Sequence, residues 1–242
     1  LCSWGVRYGL SCVVRYSVAF SVTAILITAA SMLFTASHMQ IEKFLPLFQQ
    51  PVITYVNATH VVATIPFGET VVFLMLAPNV KLPVKKMGKY FLGGLALGGG
   101  MMLATVMRDT MVLGKTMNLF AIPSLEVYRM VHLTESMGRV EILFSIALII
   151  LLFSKVILLY YVTTLAFGQM LGTSSHKPIV LAVGALATAY AQVLNQSSLK
   201  HLASGTQSAP VFWTLFELLL PLLTLIIAAL RHVRGQEEVA QQ

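Results

Sequence analysis

Charged residues are scarce in this sequence. Only 10% of its 242 residues are Asp, Glu, Lys or Arg, whereas an ordinary soluble domain carries roughly 25%. So few charges cannot cover the surface of a globule of this length in water. Hydrophobic residues make up 57% of the chain, and the mean hydropathy is +0.82. The composition therefore excludes an ordinary soluble enzyme and predicts a protein embedded in a lipid bilayer.

Residues that build metal and redox sites are also few. The two cysteines, Cys2 and Cys12, form no CxxC pair. The six histidines contain no pair spaced i, i+4 and stand at positions 38, 60, 132, 176, 201 and 232. An HExxH zinc motif, a G-x-S-x-G turn and a Walker loop are absent from the sequence. We therefore expect no metal, no cofactor and no enzymatic activity.

Long stretches without any charge occupy most of the chain. They are near or above the length of about 20 residues that a helix needs to cross a bilayer, and they cover 16–41, 44–68, 90–107, 156–176 and 178–199. Clusters of Pro, Gly, Asn and Ser mark the loops between helices. The pattern predicts an all-α, polytopic membrane helix bundle with six spans, near 15–36, 52–79, 87–113, 138–172, 178–196 and 209–232.

The distribution of Lys and Arg predicts the orientation of these spans. Six spans place both ends of the segment on one side of the membrane, and that side holds nine basic residues: Arg7, Arg15, Lys81, Lys85, Lys86, Lys89, Lys177, Arg231 and Arg234. The other side holds six, namely Lys43, Arg108, Lys115, Arg129, Arg139 and Lys200. The positive-inside rule therefore predicts cytoplasmic ends. We assign the net charge of +7 to membrane orientation and expect no nucleic-acid partner.

The second predicted span contains Pro66, Gly68 and Glu69 close together in mid-membrane. Pro66 donates no hydrogen bond to the carbonyl four residues earlier, and Gly68 makes a departure from helical geometry less costly. Irregular backbone at this depth is tolerated where protein buries it or where it lines a cavity. A helix broken near 64–69 and a simple proline kink are both consistent with the residues. Glu69 can carry a proton, pair with a ligand ammonium or bond to the broken backbone.

Two further spans contain ionisable residues. The fourth span begins near Glu141 and contains Ser145, Leu148 and Lys155 on approximately the same face. Glu141 and Lys155 are about four turns apart, so each needs its own partner. We expect Lys155 to be buried and to form a structural ion pair. Glu141 is equally consistent with a functional acid and with a first-turn acid that the helix dipole stabilises. In the last span Glu217 precedes Pro221 and is a candidate buried acid or an interfacial one.

The third span is rich in glycine between residues 93 and 100. No strand precedes this stretch, and the G-x-G-x-x-G spacing of a dinucleotide site is absent. Gly94 and Gly98 instead form a small-xxx-small face that predicts close packing against another helix.

Several short motifs follow one another over nearly the whole chain: IPFGE at 65–69, VFLML at 72–76, PSLEVYR at 123–129, RVEILF at 139–144, FSKV at 153–156 and FELLLP at 216–221. Their order and spacing resemble the B subunit of spore germinant receptors. That family is similar to amino-acid permeases of the APC superfamily. The resemblance implies a LeuT-like fold of two inverted five-helix repeats, in which each repeat begins with a broken helix.

The resemblance also implies a domain organisation. It makes residues 1–242 a single transmembrane domain, in which 1–36 end the front repeat, 52–232 form the back five-helix repeat and 233–242 form a cytoplasmic tail. The broken helix of the front repeat is then expected upstream of Leu1, and the chain corresponds to about two-thirds of such a protein.

The function implied by the resemblance is nutrient sensing in the inner membrane of a dormant bacterial spore, together with A and C subunits. The ligand would be a small nutrient such as an amino acid. The residues expected to bind it are Thr64, Ile65, Pro66, Phe67, Gly68 and Glu69, with Ser145 and Leu148 from the fourth span. A proton-coupled amino-acid permease and a scaffold subunit without a ligand are the alternatives.

Overall fold

The computed structural model describes residues 1–45, 48–130, 141–173, 175–194, 205 and 208–231. In these ranges the regular structure is helical, and no strand is present. Several predicted features lie outside the described residues: the beginning of the 138–172 helix with Arg139, the end of the 178–196 helix, Lys200, Arg234 and the 233–242 tail.

Six helices in the described part of the chain are long and apolar enough to cross a membrane. Their bounds are Leu10–His38, Val52–Asn79, Val84–Leu119, Phe144–Met170, Lys177–Leu194 and Ala209–Leu230. We refer to them as the first to sixth spans. They confirm the prediction of an all-α, polytopic membrane bundle with six spans, each near its predicted position.

The first span begins earlier than predicted. A short helix, Cys2–Tyr8, precedes the helix Leu10–Thr35, and the two are separated by Gly9 with φ 92°. A positive φ of this size is accessible to glycine at little energetic cost, so Gly9 permits the change of direction between the two helices. One-turn 3₁₀ segments follow at Ala36–His38 and Ile41–Phe44.

The third, fourth and fifth spans are more regular. The third contains the α-helix Val84–Leu113 and the 3₁₀ segment Gly114–Leu119, and the short helix Pro123–Arg129 follows it. The helix Glu141–Met170 forms the fourth span. The fifth combines a 3₁₀ turn, Lys177–Ile179, with the helix Val180–Leu194.

The second and sixth spans change helix type along their length. The second runs as α-helix Val52–Val62, π-helix Ala63–Gly68, 3₁₀ segment Glu69–Val72, α-helix Phe73–Leu76 and 3₁₀ segment Ala77–Asn79. The sixth runs as α-helix Ala209–Thr214, π-helix Leu215–Leu219 and α-helix Leu220–Leu230. The second span thus departs from α-helix where the broken helix was predicted. The departure is a wide π turn followed by a tight 3₁₀ turn rather than an unwound gap.

The chain divides into two compact units. The first unit consists of residues 1–49 and 93–181, and the second of residues 50–92 and 182–242.

In the first unit the first and fourth spans pack along each other, and the Cys2–Tyr8 helix packs against both. Gly5 makes this approach possible, because a Cβ atom built there would lie 2.3 Å from Cδ1 of Ile157. Buried apolar side chains lie along these helices, namely Val6, Val13, Ile157, Tyr161 and Val162. This arrangement follows from small residues that let apolar faces meet closely.

The glycine-rich face of the third span has no such neighbour. A Cβ atom built at Gly94 or Gly98 would meet no atom within 4 Å among the described residues. The predicted close packing through this face is therefore not made within the described part of the chain.

Candidate functional site

Two π-helical segments lie side by side in the second unit. The segment Ala63–Gly68 of the second span packs against both the helix Ala209–Thr214 and the π-helix Leu215–Leu219 of the sixth span. A π-helix pairs each N–H with the carbonyl five residues earlier, and such segments occur often at functional sites. This pair of segments is the core of the candidate site.

Prolines explain why the helices widen here. Pro66 lies inside the first π segment and has no N–H for the carbonyl of Val62, four residues earlier. In π geometry this carbonyl accepts from Phe67, five residues later, so the proline is bypassed without leaving the helix. Pro221 lies two residues after the second π segment and likewise supplies no N–H to the carbonyl of Glu217, four residues earlier.

A hydrogen bond joins the two spans immediately before their π segments. His60 Nε2 lies 2.7 Å from Thr214 Oγ1, and Thr214 Oγ1 donates to the carbonyl of Pro210 at 2.7 Å. A threonine hydroxyl has one proton, so with that proton on Pro210 the imidazole is the donor to Thr214. Thr64 is fully buried, and its hydroxyl lies 2.9 Å from the carbonyl of His60. The site is thereby held by polar contacts at one end.

At the other end, Glu217 lies directly against Gly68. A Cβ atom built at Gly68 would lie 2.2 Å from Oε2 of Glu217 and 3.1 Å from its Cδ. Real Cβ atoms do not approach another atom so closely, so only glycine at position 68 leaves room for the carboxylate in this position. Gly68 has φ −64°, which any residue can adopt, so its role here is the space that it leaves.

A cavity of about 480 Å³ opens beside this contact. Its volume lies within the range of about 300–1,000 Å³ that is typical of ligand sites. The lining comes from both π segments, the remainder of the second span and the beginning of the third: Phe67, Gly68, Thr70, Val71, Phe73, Leu74, Leu76, Ala77, Val80, Val84, Met87, Gly88, Phe91, Glu217 and Leu218. Almost all of these side chains are apolar, and Glu217 is the only ionisable one among them.

The predicted binding residues of the second span have different exposures. Thr64 and Gly68 are buried, Ile65, Phe67 and Glu69 are partly buried, and Pro66 is exposed. Phe67 and Gly68 line the cavity, and the other four do not. The structure therefore places two of the six predicted residues at the cavity wall and adds Glu217, which the sequence marked only as a candidate buried acid.

The predicted residues of the fourth span lie in the first unit. Ser145 and Leu148 are partly buried, and Ser145 Oγ donates to the carbonyl of Glu141 at 2.9 Å. Glu141 is partly buried as well, whereas Lys155, which we expected to be buried, is exposed. The reason is helical geometry, because Lys155 is two residues, or about 200°, from the buried Ile157.

A buried ion pair in the first unit was not predicted from the sequence, where Arg108 was counted only among the six basic residues of the non-cytoplasmic side. Arg108 and Asp109 are 1% and 3% exposed, and Arg108 Nη2 lies 2.6 Å from Asp109 Oδ1. Arg108 also donates to Ser31 Oγ at 2.5 Å, and Ser124 Oγ donates to Asp109 Oδ2 at 2.5 Å. The ring of Tyr128 lies 5.0 Å from the guanidinium carbon. This cluster ties the first span, the third span and the helix Pro123–Arg129 together.

The only sequence signal for this cluster is an Arg-Asp pair at the end of a long uncharged stretch. Its partners come from positions far apart in the chain, so spacing alone did not reveal them. Among the residues that the structure describes, no three His, Cys, Asp or Glu side chains converge to hold a metal ion.

A comparison with known families identifies the chain. A family model described as "Spore germination protein" matches residues 1–200. The chain belongs to the spore germination protein family. It is a multi-pass membrane protein related to spore germination.

One relative from this family is the spore germination protein KB of Bacillus subtilis strain 168. It is 28% identical over 182 residues, which cover 74% of this chain and 48% of the relative. The chain thus spans about half the length of the curated relative that it matches. No solved structure matches this chain significantly.

Proposed function

We propose that this spore germination protein is the nutrient-sensing subunit of a germinant receptor. It binds a small molecule such as an amino acid at mid-membrane and signals to A and C partner subunits. The resemblance described above and the family membership support this proposal, as does the site in the second unit.

The observation that carries the proposal is the pair of adjoining π-helical segments with a cavity beside them. Wide turns at membrane depth are tolerated where they line a cavity, and here Phe67, Gly68 and Glu217 lie at its wall. The contact of Glu217 with Gly68 makes the relative position of the two spans sensitive to what occupies this wall. The binding surface is proposed to include Thr64, Ile65, Pro66, Phe67, Gly68 and Glu69 of the second span.

Signalling follows from a difference in affinity. A ligand that binds one arrangement of the second and sixth spans more tightly shifts the population towards that arrangement. The π segments are suited to such a change because a residue can pass between π and α pairing without loss of the helix. The new arrangement is then read by the partner subunits.

The membrane location and repeat organisation belong to the same proposal. We place the protein in the inner spore membrane with the described ends on the cytoplasmic side, as the excess of basic residues supports. Residues 1–36 then end the front repeat of a LeuT-like fold, and 52–232 form the back repeat of a single transmembrane domain.

Two glycines of the membrane helices provide the test. Gly68→Ala places a methyl group where the Glu217 carboxylate lies, whereas a Cβ atom at Gly93, which does not belong to the cavity wall, meets no atom within 4 Å. We expect Gly68→Ala in the full-length protein to raise the nutrient concentration for half-maximal germination by about tenfold or more, equivalent to about 1.4 kcal/mol of binding free energy. Gly93→Ala is the matched control and should leave the dose response unchanged.

Spores carrying each variant are compared by germination dose response, with the protein level measured by immunoblot. Normal levels of Gly68→Ala with unchanged nutrient specificity and sensitivity would contradict a binding site at this position and favour a scaffold subunit. Counterflow of labelled amino acid in liposomes, without partner subunits, would instead favour a permease.

A further inference from the structure

We propose that Glu217 is the ammonium-binding group of the cavity, and that the ligand is a primary amine with a small apolar body. This inference rests on the proposed function and assigns the chemical class of the ligand. The juxtaposition that carries it is one carboxylate in a cavity whose remaining walls are almost entirely apolar.

The lining residues determine which ligand chemistry the cavity accepts. Thr70 is the other polar side chain of the wall, and its hydroxyl already donates to the carbonyl of Phe67 at 2.6 Å. Among the residues that the structure describes, no Lys, Arg or His belongs to the wall, so none is placed there to pair with a ligand carboxylate. A cationic head group can pair with Glu217, and an apolar body can pack against Phe73, Leu74 and Phe91.

The surroundings make an ammonium–carboxylate pair favourable. A hydrogen bond between charged groups is stronger in surroundings of low dielectric constant, and the side chains around Glu217 in this wall are almost all apolar. A metal cation is a poorer match, because calcium and magnesium require several oxygen ligands and the wall offers a single carboxylate.

Gly68 positions the carboxylate. Its missing side chain leaves the space in which Oε2 of Glu217 lies, 2.2 Å from where a Cβ atom would be. Glu69, one residue later, is partly buried but does not belong to the wall. Among the ionisable groups of the predicted site, Glu217 is therefore the one placed to meet a ligand in this cavity.

Three related probes separate the two ends of an amino acid. L-Leucine has an ammonium, a carboxylate and an apolar body; isoamylamine lacks the carboxylate, and 4-methylpentanoate lacks the ammonium. Binding is measured by isothermal titration with the purified full-length protein in nanodiscs. We expect leucine and isoamylamine to bind competitively and 4-methylpentanoate to bind at least tenfold more weakly.

Substitution of Glu217 then assigns the group. Loss of a hydrogen bond to a charged group corresponds to about 10- to 100-fold in affinity. We expect Glu217→Gln to lower the affinity for both amines by this factor and Glu217→Asp to retain part of that affinity. Glu42→Gln, at an exposed carboxylate of the first unit, is the matched control and should bind as the unmodified protein does.

The outcomes separate this inference from the proposed function. Three results would each overturn the amine assignment. Glu217→Gln could bind the amines as tightly as the unmodified protein, the unmodified protein could bind 4-methylpentanoate as tightly as leucine, or it could bind neither amine. The proposed function would survive each of these results if Gly68→Ala still altered the nutrient response of spores. If Glu217→Gln does not fold, the comparison of the three probes on the unmodified protein still decides the ligand class.

Discussion

His60 Nε2 lies 2.7 Å from Thr214 Oγ1 and so connects two spans at the last turn before each becomes π-helical. The hydrogen bond spans 154 residues of sequence. It holds the beginnings of the two π segments together, while the contact of Gly68 with Glu217 lies near their other ends.

Removal of the Thr214 hydroxyl should loosen this connection. Thr214→Val keeps the shape of the side chain but loses the bonds to His60 and to the Pro210 carbonyl. We expect the free energy of unfolding to fall by about 0.5–1.5 kcal/mol, since interhelical hydrogen bonds in membranes contribute amounts of this order. The measurement is thermal or denaturant unfolding of the full-length protein in detergent.

Thr188→Val is the matched control for this variant. Thr188 is exposed, and its hydroxyl donates to the carbonyl of Gly184 at 2.8 Å within the same helix. We expect a change below about 0.5 kcal/mol, as is usual for substitutions at a surface. Equal losses for both variants would show that the bond to His60 contributes no stability.

Pro66→Ala should change the response to nutrient rather than simply the stability. An alanine at position 66 supplies an N–H with which the Val62 carbonyl can form an α-helical bond instead of the π bond to Phe67. It also removes a residue that disfavours a regular α-helix by about 3 kcal/mol. Regular α pairing would rotate Gly68 away from Glu217. We expect the concentration for half-maximal germination to rise by about tenfold or more.

Pro178→Ala controls for the loss of a proline. Pro178 lies in the first turn of the fifth span, where a helix needs no N–H donor. Its replacement should leave the germination dose response unchanged. A dose response of Pro66→Ala equal to that of Pro178→Ala, at equal protein levels, would remove the link between the π segment and sensing.

The buried pair of Arg108 and Asp109 should contribute strongly to the stability of the first unit. Asp109→Asn keeps the shape but leaves the guanidinium, 1% exposed, without its carboxylate. We expect a loss of about 3–5 kcal/mol, whereas Arg108→Met combined with Asp109→Leu should lose less, since no buried charge is left uncompensated. Unfolding of the full-length protein measures both.

The exposed pair of Arg129 and Glu126 offers the control. Its atoms are 2.7 Å apart, but the side chains are 55% and 25% exposed. Glu126→Gln should change the free energy of unfolding by about 0–1 kcal/mol because solvent screens the pair. A loss as large as that of Asp109→Asn would mean that burial does not distinguish the two pairs.

The spans and the departure of the second span from α-helix could be predicted from the sequence because each depends on local properties. An uncharged stretch of about 20 residues has few ways to satisfy its backbone except a helix across a bilayer. Pro66 removes one donor at a known place, whatever surrounds it. The form of the departure, a π turn, was not predicted because a proline is equally compatible with a kink, a break and a π turn.

Contacts between distant residues could not be predicted from the sequence, because they depend on which helices meet in the fold. The burial of Arg108 was not predicted because its partners Ser31 and Tyr128 are 77 and 20 residues away. Glu217 was recognised as a candidate buried acid, but its position against Gly68 depends on the meeting of two spans. Lys155 is exposed because of its direction around the helix, and the direction of the packed face was not evident in a uniformly apolar stretch.

The orientation in the membrane is tested on the third span alone. Its helix Val84–Leu113 contains 30 residues and is about 45 Å long, so it exceeds the hydrocarbon thickness of about 30 Å and places its ends on opposite sides. With Cys2, Cys12 and every other cysteine of the full-length protein replaced by serine, a single cysteine is introduced at Lys85, at Leu97 or at Lys115, all of which are exposed side chains. A membrane-impermeant maleimide added to intact protoplasts that express the full-length protein should label Lys115→Cys. It should label Lys85→Cys only after permeabilisation, because the basic end is cytoplasmic.

Leu97→Cys, in the middle of the helix, should resist labelling on both sides, since a thiol in hydrocarbon does not form the reactive thiolate. The opposite labelling of Lys85→Cys and Lys115→Cys would reverse the orientation, and labelling of Leu97→Cys would mean that water reaches the centre of this span.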